Sequence, residues 1–316
     1  MNVFTSIKDV KEPEALVALA LKVKNNPGVF GSYGKLKTLG LVFFNPSLRT
    51  RLSTQKAALN LGMQVVILNI NSDSWILEME DGAIMNGNAQ EHIREAAAVL
   101  SQYCDIIGVR TFAQFNSRAE DYGEFILQKF IRFSSVPILS LESATLHPLQ
   151  SLADWMTITE QQRTERPKVV LSWAPHPKIL PQAVANSFVE WMRIAHVDLT
   201  VTFPKEIDLA PSYLKGISVT HNQEKAMENA DFVYAKNWSS FSNYGKGTSS
   251  FQDWKIDERK MALTHNAYFM HCLPVRRNVV VSDGVLDSDH SLVLEQANNR
   301  TYAAQAVLLK MLGYEG

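Results

Sequence analysis

Eight short apolar runs, each closing on a polar cluster, constrain the fold of this 316-residue chain more than any other feature. They are LGLVFF (39–44), VVILNI (65–70), CDIIGV (104–109), VPILSL (136–141), VVLSW (169–173), VDLTVTF (197–203), ADFVYA (230–235) and AYFMHCL (267–273). Continuous apolar runs of this kind suit strands buried on both faces of a parallel sheet. Helical spacing fills several of the intervals, as in HIREAAAVLSQY (92–103) and NSFVEWMRIA (186–195). Strand and helix in alternation predict an α/β protein with helices on both faces of its sheets. Four runs precede and four follow LHPLQSLADWMTITEQQ (146–162), which reads as a linking helix, so a domain boundary is expected at 145/146. The last stretch, 295–316, predicts a C-terminal helix with Gly313 near its end.

Length supports two domains, because one hydrophobic core rarely serves more than about 250–300 residues. A formal net charge of -1 argues against nucleic acid or an anionic membrane as the main partner. The two cysteines, Cys104 and Cys272, are too few for a disulfide scaffold and suit a reducing compartment. Residues 1–14 are charged throughout and lack the apolar segment of a secretion signal. No apolar run approaches the ~20 residues needed to cross a bilayer. A cytoplasmic protein is expected.

Open parallel sheets bind ligands beyond the carboxyl ends of their strands. There the first run gives Asn45-Pro46-Ser47-Leu48-Arg49-Thr50-Arg51, and the third ends at Arg110. Ser47 stands where a helix would begin, and free N–H groups with positive potential at a helix start favour phosphate. Arg49 and Arg51 add planar cationic forks; the same residues also fit an N-cap serine followed by two exposed arginines. His147, before Pro148, would face the crevice from a helix start, either to donate to a carbonyl oxygen or as a structural histidine. His176, between two prolines, and Cys272, inside an apolar run, are further candidates with plain structural alternatives. Zinc spacing, H-E-x-x-H and G-x-G-x-x-G are absent, so no metal and no dinucleotide cofactor is expected.

Three of these segments together resemble the aspartate/ornithine carbamoyltransferase family. Ser47-Leu48-Arg49-Thr50-Arg51 is similar to its S-x-R-T-R signature, His147-Pro148-Leu149-Gln150 to its H-P-x-Q, and His271-Cys272-Leu273-Pro274 to the H-C-L-P of its ornithine branch. The resemblance implies two doubly wound parallel-sheet domains with the active site in the cleft between them. Residues 1–145, completed by 295–316, would bind carbamoyl phosphate, and residues 146–294 an N-acylornithine. It also implies a homotrimer with shared sites, no cofactor, and attack of an amine on the carbonyl carbon of carbamoyl phosphate. Ser47, Leu48, Arg49, Thr50, Gln150 and Arg300 would contact carbamoyl phosphate, Arg110 and His147 would polarise its carbonyl, and Cys272 and Leu273 would offer backbone carbonyls. Trp75 would reach in from a neighbouring subunit. A non-catalytic relative would be suggested by loss of Arg49, Arg110 or His147, and all three are present.

One departure bears on the acceptor. Where ornithine enzymes carry D-x-x-S-M-G, this chain reads Tyr234-Ala235-Lys236-Asn237-Trp238. A lysine repels a free α-ammonium and attracts a carboxylate. This resembles the branch that takes ornithine acylated on its α-nitrogen, making Glu142, His176, Lys236 and Arg276 candidate acceptor contacts. The branch has N-acetyl and N-succinyl forms. The acetyl form carries an acid at the place of Gln90 and a lysine at that of Val280, while the succinyl form carries proline at the first. Gln90 and Val280 favour N-succinyl-L-ornithine over N-acetyl-L-ornithine.

Overall fold

The computed structural model describes residues 1–70, 72, 74–246 and 250–315; Asn71 and Asp73, at the end of the second run, and Gly316 lie outside them. The chain divides into two compact units, Met1–Leu149 with Arg300–Gly316, and Gln150–Asn299.

The first unit holds β1 (Val3–Phe4), β2 (Thr38–Phe43), β3 (Gln64–Asn69), the short pair β4 (Leu77–Glu78) and β5 (Glu91–His92), β6 (Ile106–Arg110) and β7 (Ile138–Glu142). Five of them form a parallel sheet in the order β1-β7-β6-β2-β3. Its helices are α1 (Pro13–Asn25), α2 (Leu48–Asn60), α3 (Ile93–Tyr103), α4 (Arg118–Tyr122) and α5 (Phe125–Phe133). Pro13 opens α1 at a position where a missing N–H is tolerated, and His92 caps α3 through the Arg94 amide. α3 and α5 bury Ile93, Ala97, Leu127 and Phe130 with Val42, Ile107 and Ile138 of the sheet. Gly108 lies in the central strand β6, where a Cβ would come 3.0–3.2 Å from Leu41 and Leu141.

The second unit repeats the plan with β8 (Lys168–Trp173), β9 (Asp198–Thr202), β10 (Ser218–Thr220), β11 (Phe232–Lys236) and β12 (Tyr268–Met270). Their order is β10-β9-β8-β11-β12, again all parallel. α6 (Pro148–Gln161) is the expected linking helix, and α7 (Ala183–Met192) follows β8. The division into units falls inside α6, after Leu149, rather than ahead of it. The C-terminal helix Val293–Met311 stops before Gly313, which adopts φ +89.

Two sequence expectations need correction. The run 65–70 is not buried on both faces: β3 is an edge strand, and Val66 is exposed. Strands β1, β4, β5 and β10 were not expected at all; each has two or three residues, too short to leave an apolar run.

The chain order reverses twice, between β2 and β6 in the first sheet and between β8 and β11 in the second. Such switch points open a crevice at the carboxyl ends of the two strands, where ligands bind. Each unit therefore has one place to inspect.

Candidate active site

At the switch point of the first unit, Ser47 has extended backbone and caps α2, accepting from the Thr50 amide at 3.3 Å. The start of α2, at Leu48, presents the backbone N–H groups and positive potential that favour an anion. The Leu48 side chain is exposed, so only its backbone amide belongs to the helix start. Arg300, buried on the C-terminal helix, donates to Thr50 Oγ1 at 2.6 Å. This joins a residue 250 positions away to the same turn. Arg49 is half-buried in that turn, whereas Arg51 is exposed.

Arg110 closes the crevice. It is buried at the end of β6, and its Nη1 donates to the carbonyls of Asn45 and Pro46 at 2.9 Å each, just beyond β2. Its Nη2 donates to Glu142 Oε2 at 2.9 Å, at the end of β7. Its face stacks on Phe112 at 4.2 Å. The Nε–H is buried without a protein partner. His147 is buried ahead of α6, with Nε2 3.9 Å from Glu142 Oε2. Arg110, Glu142 and His147 thus form one buried cluster.

In the second unit, Gln150 donates through Nε2 to Asp154 Oδ1 at 2.8 Å, and its Oε1 is buried without a protein partner. Asp154 Oδ1 also accepts from Gln296 Nε2 at 2.6 Å, and Gln296 Oε1 accepts from the His271 amide at 2.9 Å. The chain Gln150–Asp154–Gln296 therefore fixes the segment carrying Cys272 and Leu273. Leu273 has φ 53, and its amide donates to His271 Nδ1 at 2.9 Å. Tyr234, wholly buried, has its hydroxyl pushed well above the usual tyrosine range by burial, with Asp154 and Cys272 adding to it.

Beyond β8 and β11 the backbone is cross-tied. Asn237 Nδ2 donates to the Ala174 carbonyl at 2.8 Å, and Trp173 Nε1 to the Trp238 carbonyl at 2.9 Å. Partial burial holds the His176 imidazole below its ordinary pKa, and the nearby cations Lys236, Arg276 and Lys178 push it the same way. His176, Lys236 and Arg276 therefore share one electropositive neighbourhood.

Trp75 and Gln90 come from a loop whose two ends are paired. β4 and β5 run side by side, the Gln90 amide donates to the Ile76 carbonyl at 3.1 Å, and Trp75 Nε1 donates to Glu91 Oε2 at 2.9 Å. Fifteen residues apart in sequence, Trp75 and Gln90 stand together. Trp75 is 50% exposed. Val280 is a buried core residue of the second unit.

Sequence reading missed Asp154, Gln296 and Glu91. Asp154 left a signal, the four-residue spacing that puts it on the Gln150 face of a helix. Gln296 and Glu91 left none, since each meets its partner only through the fold. Among the described residues, no group of three His, Cys, Asp or Glu is placed to hold a metal ion, and no helix is long and apolar enough to cross a membrane.

Comparison with known proteins bears on both units. Residues 3–160 match the aspartate/ornithine carbamoyltransferase carbamoyl-P binding domain, and residues 181–311 match the Asp/Orn binding domain of that family. The chain is 50% identical over 314 residues to the N-succinylornithine carbamoyltransferase of Bacteroides thetaiotaomicron, covering 99% of each. It is 37% identical to the N-acetylornithine carbamoyltransferase of Xanthomonas campestris pv. campestris, covering 96% of this chain and 94% of the other. A solved N-acetyl-L-ornithine transcarbamylase superposes with a TM-score of 0.93 at 36% identity, over 98% of this chain and 100% of the other. That structure is a glutamate-to-alanine mutant complexed with carbamyl phosphate and N-succinyl-L-norvaline. With both of its domain types matched in order and relatives alike over their full length, the chain belongs to the aspartate/ornithine carbamoyltransferase family.

Proposed function

We propose that this enzyme moves the carbamoyl group of carbamoyl phosphate to the δ-amine of N-succinyl-L-ornithine. The products are N-succinyl-L-citrulline and phosphate, and the step belongs to arginine biosynthesis in the cytoplasm. The observation that carries the acceptor is the set of cationic or ionisable side chains beyond neighbouring strands: Lys236 ends β11 opposite Trp173 of β8, His176 follows β8, and Arg276 follows β12. An acylated ornithine brings an α-carboxylate and no α-ammonium, and a succinyl group brings a second carboxylate. Free ornithine would place its ammonium against Lys236. The full-length likeness to N-succinylornithine carbamoyltransferase supports the same choice.

Each group is assigned a role in the proposed chemistry. The α2 amides, Ser47, Arg49, Thr50 and Arg300 hold the phosphoryl oxygens. Arg110, through its remaining N–H groups, and His147 polarise the carbamoyl carbonyl as negative charge gathers on its oxygen. Gln150 Oε1 accepts from the carbamoyl amide. The Cys272 and Leu273 carbonyls accept from the attacking amine. The new N–C bond forms as the C–O bond to phosphate breaks, and the departing phosphate takes the amine proton. Catalysis is positioning and electrostatics, with no covalent intermediate.

Lys236→Ala tests the acceptor assignment. We expect KM for N-succinyl-L-ornithine to rise about 10- to 100-fold, the loss of one charge-assisted contact, with KM for carbamoyl phosphate unchanged. Equal KM values for the acceptor in both proteins would remove Lys236 from the site.

The proposal includes a homotrimer, with Trp75 and Gln90 offered to a neighbour. Its support is the exposed apolar side chains Leu48, Leu52 and Leu59 on α2, Val66 on the edge strand β3, and Trp75 and Ile76. Sedimentation equilibrium should return three times the 35.5 kDa chain mass. A single-chain mass at assay concentration, with full activity, would overturn the shared site.

A further inference from the structure

The segment 143–146 joins Glu142 to His147, two members of the buried cluster, and it is not self-supporting. Its internal ties are few. The Ser143 amide donates to the Leu146 carbonyl at 2.8 Å, and the Leu146 amide donates to Ser143 Oγ at 3.1 Å. Ser143 Oγ also lies 3.1 Å from the Leu146 carbonyl, but that hydroxyl and the remaining donors of the turn all reach one side chain from elsewhere in the first unit. Ser143 Oγ donates to Glu124 Oε1 at 2.6 Å, the Thr145 amide to the same oxygen at 2.9 Å, and the Ala144 amide to Oε2 at 3.2 Å. The Thr145 hydroxyl donates to Oε1 as well. One carboxylate thus takes four hydrogen bonds from three consecutive residues.

The backbone around Glu124 is shaped for this task. Glu124 stands between α4 and α5 with φ 53, in the left-handed region. A non-glycine residue there costs on the order of 1–3 kcal/mol. Gly123, which would carry a positive φ without strain, lies next door at φ -76. The left-handed position is therefore occupied by a side chain that is used. Burial pushes the Glu124 carboxyl above its ordinary pKa, and the donors from Ser143, Thr145 and Ala144 pull against it. Three residues earlier, Asp121 performs the same service for the loop after β6. The amides of Gln114 and Phe115 donate to its two oxygens at 2.9 Å each. That loop begins with Arg110 and the Phe112 on which it stacks.

We propose that Glu124 is a positioning residue for carbamoyl transfer: it clasps residues 143–145 and so sets Glu142 and His147 against Arg110. It touches no substrate. Its reach to the reaction is through the turn alone, and misplacing a catalytic group by about 1 Å costs on the order of 10²-fold in rate. The turnover readout rests on the function proposed above; the exchange readout does not.

The experiment pairs Glu124→Gln and Glu124→Ala with Ser143→Ala and the double variant Glu124→Ala/Ser143→Ala. Inorganic phosphate binding, by calorimetry, reports whether the α2 turn and the unit are intact. We expect one phosphate per chain with unchanged affinity in each variant. Backbone amide exchange at Ala144 and Thr145 should accelerate in the Glu124 variants while α2 keeps its protection. Turnover should fall about 10-fold in Glu124→Gln, which keeps one acceptor oxygen, and about 100-fold in Glu124→Ala. KM for the acceptor should rise as Glu142 shifts. The double variant should lose less than the two single losses combined, because both changes break one clasp, Ser143→Ala also removing the acceptor of the Leu146 amide. Faster exchange without any activity in the wild type would fault the functional reading and leave the clasp standing. Unchanged exchange at Ala144 and Thr145, kcat within twofold of wild type, or losses that simply add would each overturn the proposal. Should Glu124→Ala not fold, Ser143→Ala combined with Thr145→Val attacks the clasp from its other side. A fall of about 10-fold in kcat is then expected, and an unchanged kcat would refute the clasp.

Discussion

Arg110→Ala should lower kcat/KM for carbamoyl transfer by about 10³-fold and destabilise the first unit by about 3–5 kcal/mol. The two effects have separate causes. Activity falls because the guanidinium stands at the switch point with donors left for an anion, and a charged donor is worth most where water is excluded. Stability falls because Glu142 and the carbonyls of Asn45 and Pro46 lose their partner. A buried carboxylate left alone is far more costly than a buried pair is beneficial. The double variant Arg110→Met/Glu142→Met separates them. It should recover much of the thermal stability, since replacing both charges leaves no unpaired buried charge, while activity stays lost. Thermal midpoints and initial rates on the three proteins check this. A folded Arg110→Ala enzyme within tenfold of wild-type kcat/KM would remove Arg110 from the reaction.

The second large effect is expected at Gln90. Changing it to glutamate should cut kcat/KM for N-succinyl-L-ornithine by about 10²-fold, while leaving N-acetyl-L-ornithine within a few-fold. A new carboxylate about 5 Å from the succinyl carboxylate adds roughly 3 kcal/mol of repulsion at an effective dielectric near 20. The acetyl group carries no charge to repel. Gln90 lies near Trp75, at the paired base of one loop. The solved glutamate-to-alanine mutant of an N-acetyl-L-ornithine transcarbamylase, complexed with N-succinyl-L-norvaline, is consistent with removal of an acid admitting a succinyl group. Kinetics on both acceptors with both proteins check the prediction. An equal loss on the two would show that Gln90 acts on folding or assembly rather than on the acyl group.

Much of this was legible in the residues. The apolar runs of the central strands stand out because both faces of those strands are buried, which makes most of their side chains apolar. Ser47 was legible as a helix start, and Arg110 as a strand end, because caps and strand ends are local. What escaped reading is non-local. β1 is two residues held by pairing with β7, and no window of sequence distinguishes it from a tail. The bond from Arg300 to Thr50 left no local signal, since 250 residues separate them. Glu124 carries no motif; its meaning appears only when the fold brings the 143–145 turn onto it. The exposed β3 shows the converse failure, a run that reads as buried core and lies at a sheet edge.

The most direct measurement is product formation from carbamoyl phosphate with N-succinyl-L-ornithine, N-acetyl-L-ornithine and free L-ornithine offered in parallel. The account predicts a ureido product and stoichiometric phosphate with the succinyl compound, at a kcat/KM well above that for the acetyl compound, and none with free ornithine. A preference for the acetyl compound would mean that Gln90 behaves as the acid it replaces. Turnover of free ornithine would contradict the reading of Lys236, and with it the central claim.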